Sequence, residues 1–204
     1  MKKIWHSGTL DPNASWLLVC GGDEDTKTLS NYVWLDKSYT TTIDLSVVSD
    51  TWDKDPRDLL IQYDYDNLWL HKDNQKVFWP NIDDIVSYMD WLIWVVPLPL
   101  PPFSAKKVWG KKWYELARKG QQEIRYSDMT INSYRLLSYE PPFITLSVDV
   151  WSGTYIRSIA YDMWIKFGTW WVLHILERTR VWEFYLQDIS KVEWSKIDYK
   201  VIDG

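Results

Sequence analysis

The chain of 204 residues is poor in three residue types that often carry chemistry or cross-links: it has one cysteine, three histidines and eight glycines. The single Cys20 excludes a disulfide framework and suits a reducing compartment. His6, His71 and His174 lie far apart, with no His-x-x-x-His or Cys-x-x-Cys spacing, so no metal site is expected. No Gly-x-Gly-x-x-Gly or Walker-type loop is present to cradle phosphates, and Ser7 with His6 lacks the elbow and order of a nucleophilic triad. Nothing after Met1-Lys2-Lys3 continues into a signal-peptide apolar region. The most apolar stretch, 91–103, carries four prolines and is too short to span a bilayer. The expectation is a soluble, cytoplasmic chain with one principal domain and no membrane partner. A net charge of −5 excludes a global positive field, so any nucleic-acid contact must rest on local patches.

What is present is first of all tryptophan. The chain holds 16 against eight glycines, where ordinary usage of about 7 % glycine predicts roughly 14 in this length. The order of elements reads as mixed helix and antiparallel strand, an α+β chain. Residues 39–48 read as a strand rich in Thr, Ile, Val and Tyr. A turn at Gly21–Lys27 precedes a short helix through Leu29, Tyr32 and Val33. Asn81 is placed to cap a helix that the proline-rich piece 97–102 ends. A second helix is expected over 111–119, stopped by Gly120. Two β-prone runs flank Glu140-Pro141-Pro142 as a hairpin, and 153–167 reads as a helix stopped at Gly168. Two further strands are expected over 172–178 and 181–186, while 59–79 shows no clear period.

Three stretches could carry chemistry. His6-Ser7-Gly8-Thr9-Leu10-Asp11-Pro12 packs turn formers around one carboxylate. Pro12 pushes Asp11 toward extended backbone, and the loop presents that carboxylate rather than hiding it. On these residues alone, a plain Asp-Pro turn is the commoner outcome. Residues 106–119 interleave six basic groups with Trp109, Trp113 and Tyr114, which suits a nucleic-acid backbone with stacked bases or, equally, a solvated helix face. In Ser152-Gly153-Thr154-Tyr155-Ile156-Arg157-Ser158, the arginine enters a helix where it can grip a carboxylate bidentately, or form a surface ion pair of little worth.

In this order the segments resemble the TruB family of tRNA pseudouridine synthases. His6 to Pro12 resembles the family's Gly-His-x-Gly-Thr-Leu-Asp-Pro loop, Asp36-Lys37-Ser38-Tyr39 its Lys-x-Tyr strand, and Ser49-Asp50-Thr51-x-Asp53 its Thr-Asp-Thr-x-Asp segment. Pro102 to Arg118 resembles its Pro-Pro-x-Ser-Ala-x-Lys…Tyr-Glu-x-Ala-Arg segment, Ser152 to Arg157 its Gly-Thr-Tyr-Ile-Arg, and Leu176 to Val181 its Leu-x-Arg-Thr-x-Val strand. The resemblance runs over roughly 5–185 and implies the pseudouridine synthase fold, a mostly antiparallel sheet with a catalytic cleft across it. It implies isomerisation of a T-arm uridine, position 55, in a flipped-out nucleotide. Asp11 would start glycosidic bond breakage as nucleophile or base, Tyr39 would stack on the uracil, and Arg157 would orient Asp11. His6, Tyr155 and the basic stretch with Lys106, Lys111, Lys112, Tyr114 and Arg118 would hold the RNA. The partner implied is the tRNA T-arm, bound by a monomer without cofactor or metal. Residues 1–190 would form the catalytic domain and 191–204 a tail. Measured against the family, the N-terminal strand segment and the C-terminal RNA-binding domain fall outside this chain.

The same alignment sets Trp5, Trp16, Trp94, Trp164, Trp170, Trp171 and Trp182 at positions where the family has glycine. Returning these seven to glycine brings the count to 15, near the ordinary expectation of about 14. The pattern is that of a gene whose UGA codons specify glycine but are read here as tryptophan. The alternatives are a catalytically impaired RNA-binding protein of the same fold, a guide-dependent dyskerin-type synthase, and an aromatic-rich glycan-binding domain; the last leaves the ordered motifs unexplained.

Overall fold

The computed structural model describes residues 4–8, 11, 13–49, 51–53, 59–62, 79–101, 104, 107–108, 111–112, 124–168 and 171–188. Its framework is a seven-stranded sheet. The short strands β1 (Ile4–His6), β2 (Ser15–Trp16) and β3 (Cys20–Gly22) come first, followed by a 3₁₀ turn over Asp23–Lys27 and a one-turn helix α1 (Ser30–Val33). Strand β4 (Lys37–Asp44) runs through the middle of the sheet, and β5 (Val47–Ser49) pairs with β6 (Leu59–Gln62) beside it. Helix α2 (Ile82–Trp91) leads into β7 (Trp94–Pro99); the small ribbon β8 (Lys107–Val108) and β9 (Lys111–Lys112) follows. The hairpin β10 (Tyr126–Glu140) and β11 (Phe143–Val150), helix α3 (Ile156–Phe167), β12 (Val172–Val181) and β13 (Phe184–Tyr185) complete it. The strand order is β13-β12-β4-β11-β10-β7, antiparallel throughout, with β2 lying parallel against β12.

Side-chain alternation separates the two faces. Along β11, Ile144, Leu146, Val148 and Val150 are buried, while the residues between them are half-exposed. Tyr39, Ile43, Met129, Ile131 and Leu173 join the same buried layer, covered by α2 through Ile85, Tyr88 and Met89 and by α3 through Ile159, Ala160 and Met163. Burying a leucine- or isoleucine-sized side chain stabilises by about 1.5–3 kcal/mol, so this one layer holds the sheet and both helices together. The opposite face is polar. Ser38, Ser133 and Arg180 bond to Asp149 there. Burial works against the Asp149 charge, but those hydroxyls and the Arg180 guanidinium outweigh it and hold the carboxyl below its usual range.

The α+β expectation and several elements match the structure. Asn81 caps α2, its side chain accepting from the Asp84 N–H at 2.8 Å. The hairpin turns at Pro141-Pro142, and Gly168 closes α3 at φ 69°. Other expectations need correction. The proline-rich segment does not merely end a helix: Pro97 and Pro99 lie within β7, which ends the strand order and so tolerates residues without an N–H. Lys111 and Lys112 stand in a strand, not at the start of a helix, because they pair back onto Lys107–Val108; 113–120 lie outside the described residues. The strand expected over 39–48 breaks after Asp44, whose carboxylate accepts from the Ser46 N–H and hydroxyl in a tight turn. The two expected strands after α3 are one ten-residue strand and a two-residue one.

The backbone also bears on the tryptophans. Among the described residues, four non-glycine residues have positive φ: Asp23 at 43°, Trp52 at 61°, Trp94 at 87° and Trp182 at 52°. Three of the four are tryptophan, a residue whose Cβ clashes in that region. Trp94 and Trp182 are among the positions expected to be glycine; Trp52 adds one that the alignment did not flag. Trp171 is different, since it is fully buried and stacks on Phe167.

Candidate active site

The Asp11 loop leaves β1 and is tied down on both sides. Ser7 N–H donates to the Val19 carbonyl at 3.0 Å, and Ala14 N–H donates back to the Asp11 carbonyl at 3.0 Å. Beyond the loop, the chain runs along β12: Leu17 N–H donates to the Arg178 carbonyl at 2.8 Å, and Arg178 Nε returns a bond to the Leu17 carbonyl at 2.9 Å. The loop therefore cannot drift from the sheet without breaking buried hydrogen bonds, each of which leaves a group unpaired at a cost of about 1–3 kcal/mol.

Arg157 comes from the opposite side. Thr154 bonds both ways to the backbone of Thr130 at 3.1 Å, which fixes the entry to α3 against β10. The helix starts at Ile156, so Arg157 sits in its first turn, side chain 4 % exposed. Its Nε donates to Asp11 Oδ2 at 2.8 Å and its Nη2 to Asp11 Oδ1 at 2.6 Å. Nη1 donates to the Thr51 carbonyl at 2.9 Å, which locks the guanidinium plane. A bidentate fork of this kind fixes direction as well as charge. The Asp11 side chain stays 25 % exposed, held from behind and open in front.

In front of Asp11 lies a cleft of about 210 Å³, lined among others by Gly8, Lys37, Tyr39, Tyr155, Leu176 and Arg178. That is below the range of about 300–1,000 Å³ for drug-sized ligands and suits a single flat ring. Tyr39 is buried; burial raises its phenol above the usual range, the adjacent Arg178 opposes the rise, and the Asp11 charge adds to it. The Tyr155 phenol is likewise raised by burial, against the pull of Arg157. Lys37 is pushed down to about 8, chiefly by burial and then by the Arg178 charge, partly offset by Asp36. Its ammonium donates to the Val33 and Leu35 carbonyls at 3.0 and 2.7 Å and to the Ser152 hydroxyl at 3.4 Å.

The sequence-derived set thus divides. Asp11, Tyr39, Arg157 and Tyr155 meet around one cleft. His6 is exposed at the end of β1, one residue before Ser7, which lines the cleft. Lys111 and Lys112 lie in β9. Lys106, Tyr114 and Arg118 lie outside the described residues. Lys37 and Arg178 were not singled out as site residues, although both stand in quoted motifs. Period-two spacing was the missed signal: Lys37 lies two before Tyr39, and Arg178 two after Leu176, on the cleft side of their strands. Among the described residues, no group of three His, Cys, Asp or Glu gathers to hold a metal, and no helix is long and apolar enough to cross a membrane.

The family model of the TruB family pseudouridylate synthase, N-terminal domain, matches residues 1–156. The chain belongs to the TruB family. It is 37 % identical over 193 residues to tRNA pseudouridine synthase B of Protochlamydia amoebophila, covering 92 % of this chain and 67 % of that protein. It is 36 % identical over 189 residues to tRNA pseudouridine synthase B of Chlamydia trachomatis serovar L2, covering 90 % and 71 %. In three dimensions it is similar to a chain of the crystal structure of a Cbf5-Nop10-Gar1 complex, with a TM-score of 0.62 at 20 % identity, over 90 % of this chain and 43 % of that one. At that identity the likeness concerns the fold, which is the mostly antiparallel α+β sheet of this family. The TruB motifs fall where the geometry places them: the Asp11 loop, the Tyr39 strand and the Arg157 helix converge on one cleft.

Proposed function

We infer that this TruB chain is an isomerase that converts a uridine of tRNA to pseudouridine, and that the Asp11 carboxylate begins the reaction. The observation that carries the reading is the two-point grip of Arg157 on Asp11, which aims one charged carboxylate into a cleft of single-ring size. The isomerisation breaks the C1′–N1 bond of uridine, turns the base, and joins C1′ to C5. The hydrogen on C5 leaves as a proton and N1 takes one up, so no oxidant, reductant or second substrate is consumed. A carboxylate held open on one side can serve as nucleophile toward the sugar or as base for its proton. Tyr39 supplies the ring against which a flipped uracil stacks, offsetting the few kcal/mol that flipping costs. Among the described residues, nothing favours the impaired RNA-binding reading.

The finer assignment is the T-arm uridine at position 55. Tyr155, His6 and the basic stretch with Lys106, Lys111, Lys112, Tyr114 and Arg118 hold the stem-loop, and a monomer in the cytoplasm suffices. The test is incubation of the chain with a full-length tRNA transcript, followed by chemical mapping of pseudouridine. The reading expects one modified position, in the T-loop. Modification at another position overturns the T-arm assignment, and stable tRNA binding with no pseudouridine at any position overturns the isomerase reading in favour of a binding protein.

A further inference from the structure

Arg178 is the charged group in this cleft that Asp11 chemistry leaves unused. It is 2 % exposed, lines the cleft, and stands on β12 directly opposite Tyr39 of β4 in register. Its Nε is spent on the Leu17 carbonyl, which holds the catalytic loop. Its Nη2 is buried without a hydrogen-bond partner among the described residues. Asp11, the carboxylate that lines the same cleft, is already taken by both Nε and Nη2 of Arg157. The other cation of the cleft, Lys37, is satisfied by two carbonyls and a hydroxyl. A buried guanidinium N–H without an acceptor is costly, and a fold that keeps one beside an open cleft gains when a ligand supplies the acceptor. Gly8 lines the cleft beside this guanidinium: a Cβ there would come to 3.6 Å from Arg178 Nη1.

Building on the reading of this chain as a uridine isomerase, we propose that the Arg178 guanidinium donates to a carbonyl oxygen of the flipped uracil and stabilises the negative charge of the detached base. When C1′–N1 breaks, the bonding pair stays with the base and spreads over N1 and its carbonyl oxygens. When C1′–C5 forms, the pair returns to carbon, C5 gives up its proton, and N1 is protonated. A fixed, buried cation aimed at one carbonyl favours the detached base over bound uridine, which carries no net charge. The position fits this task. Leu176 and Arg178 both line the cleft from β12, and Arg178 is the one opposite Tyr39 in register, so a ring stacked on Tyr39 presents its edge to the guanidinium.

The test is single-turnover pseudouridylation by the chain, its Arg178→Gln and Arg178→Lys variants, and the Asp11→Asn control. Each acts on tRNA carrying either uridine or 5-fluorouridine at the target; the readout is loss of the original nucleoside. Removing one preorganised donor is expected to slow Arg178→Gln on uridine on the order of 10²–10³-fold. Fluorine stabilises the base anion, so the loss on 5-fluorouridine is expected to be at least tenfold smaller. A role in holding the Leu17 loop alone slows both substrates equally, and equal loss on both overturns the proposal, as does no loss on uridine. Arg178→Lys keeps the charge and is expected to recover part of the uridine rate. Should Arg178→Gln fail to fold by circular dichroism, the uridine-to-5-fluorouridine ratio of Arg178→Lys decides, and a ratio equal to that of the unsubstituted chain overturns the proposal. Failure of the underlying reading looks different: the unsubstituted chain is then inactive, or Asp11→Asn is as active as it.

Discussion

Replacing Trp94 and Trp182 by glycine is expected to stabilise this protein, although removal of a large aromatic normally does the reverse. Trp182 opens the two-residue connection between β12 and β13, where Val181 faces Phe184, and has φ 52°. Positive φ at the first residue of such a hairpin connection is a glycine preference. Trp94 begins β7 at φ 87°. Their side chains are 77 % and 48 % exposed for Trp94 and Trp182, so little apolar burial is lost on truncation. Relief of the left-handed conformation gains about 1–2 kcal/mol per site, against about 0.5–1 kcal/mol for the freer unfolded chain of a glycine. The net is a gain of about 0.5–1 kcal/mol each, which for a chain of this size is roughly 2–8 °C in Tm for the pair. Urea or thermal unfolding followed by circular dichroism measures it. Trp171→Gly is the counter-case: that ring is fully buried on Phe167, and its loss is expected to cost about 3–5 kcal/mol. A double variant that is destabilised by 1 kcal/mol or more refutes the strain argument. The codons carry the companion test. UGA at 52, 94 and 182, with glycine masses in peptides from the native host, is the expected result; UGG there refutes the recoding.

Further expectations concern the cleft and its surroundings. Lys37 has a folded pKa of about 8, below its ordinary value of 10.5, so between those pH values the unfolded state binds more protons and stability rises with pH. The stability difference between the chain and Lys37→Met should therefore shift in favour of the unsubstituted chain from pH 8 to 10; a difference that stays flat counts against a charged, buried Lys37. Tyr88→Phe removes a bond of 2.7 Å to Asp162 that ties α2 to α3, and should cost about 1 kcal/mol in urea unfolding. Neutralising Lys111 and Lys112 together should lower the salt dependence of tRNA binding by roughly two phosphate contacts, with little effect on the single-turnover rate; an unchanged slope removes them from the RNA surface.

Much of the architecture was written in local patterns. Asn81 and Gly168 are end signals whose chemistry needs no tertiary partner, and the alternation of 143–150 survives because one sheet face is buried and the other wet. Long-range pairing was harder to read. Pro97 and Pro99 argue against a strand until β7 is seen at the end of the strand order, and Lys111-Lys112 extend because Lys107-Val108, separated from them by two residues, folds onto them. At the site, no spacing rule brings Asp11 to Arg157 across 146 positions; only the likeness of ordered motifs joined them. Lys37 and Arg178 stayed hidden because a buried cation in a strand looks like surface charge until both faces of that strand are known.

The account rests on one carboxylate, and its most direct test is pseudouridine formation on tRNA by the chain and by Asp11→Asn at matched, saturating protein. Asp11→Asn keeps the shape of the side chain and an acceptor for Arg157 while removing the charge. The account predicts that the unsubstituted chain modifies its uridine and that Asp11→Asn still binds the tRNA but forms no pseudouridine within the same time. Comparable product from both proteins would contradict it.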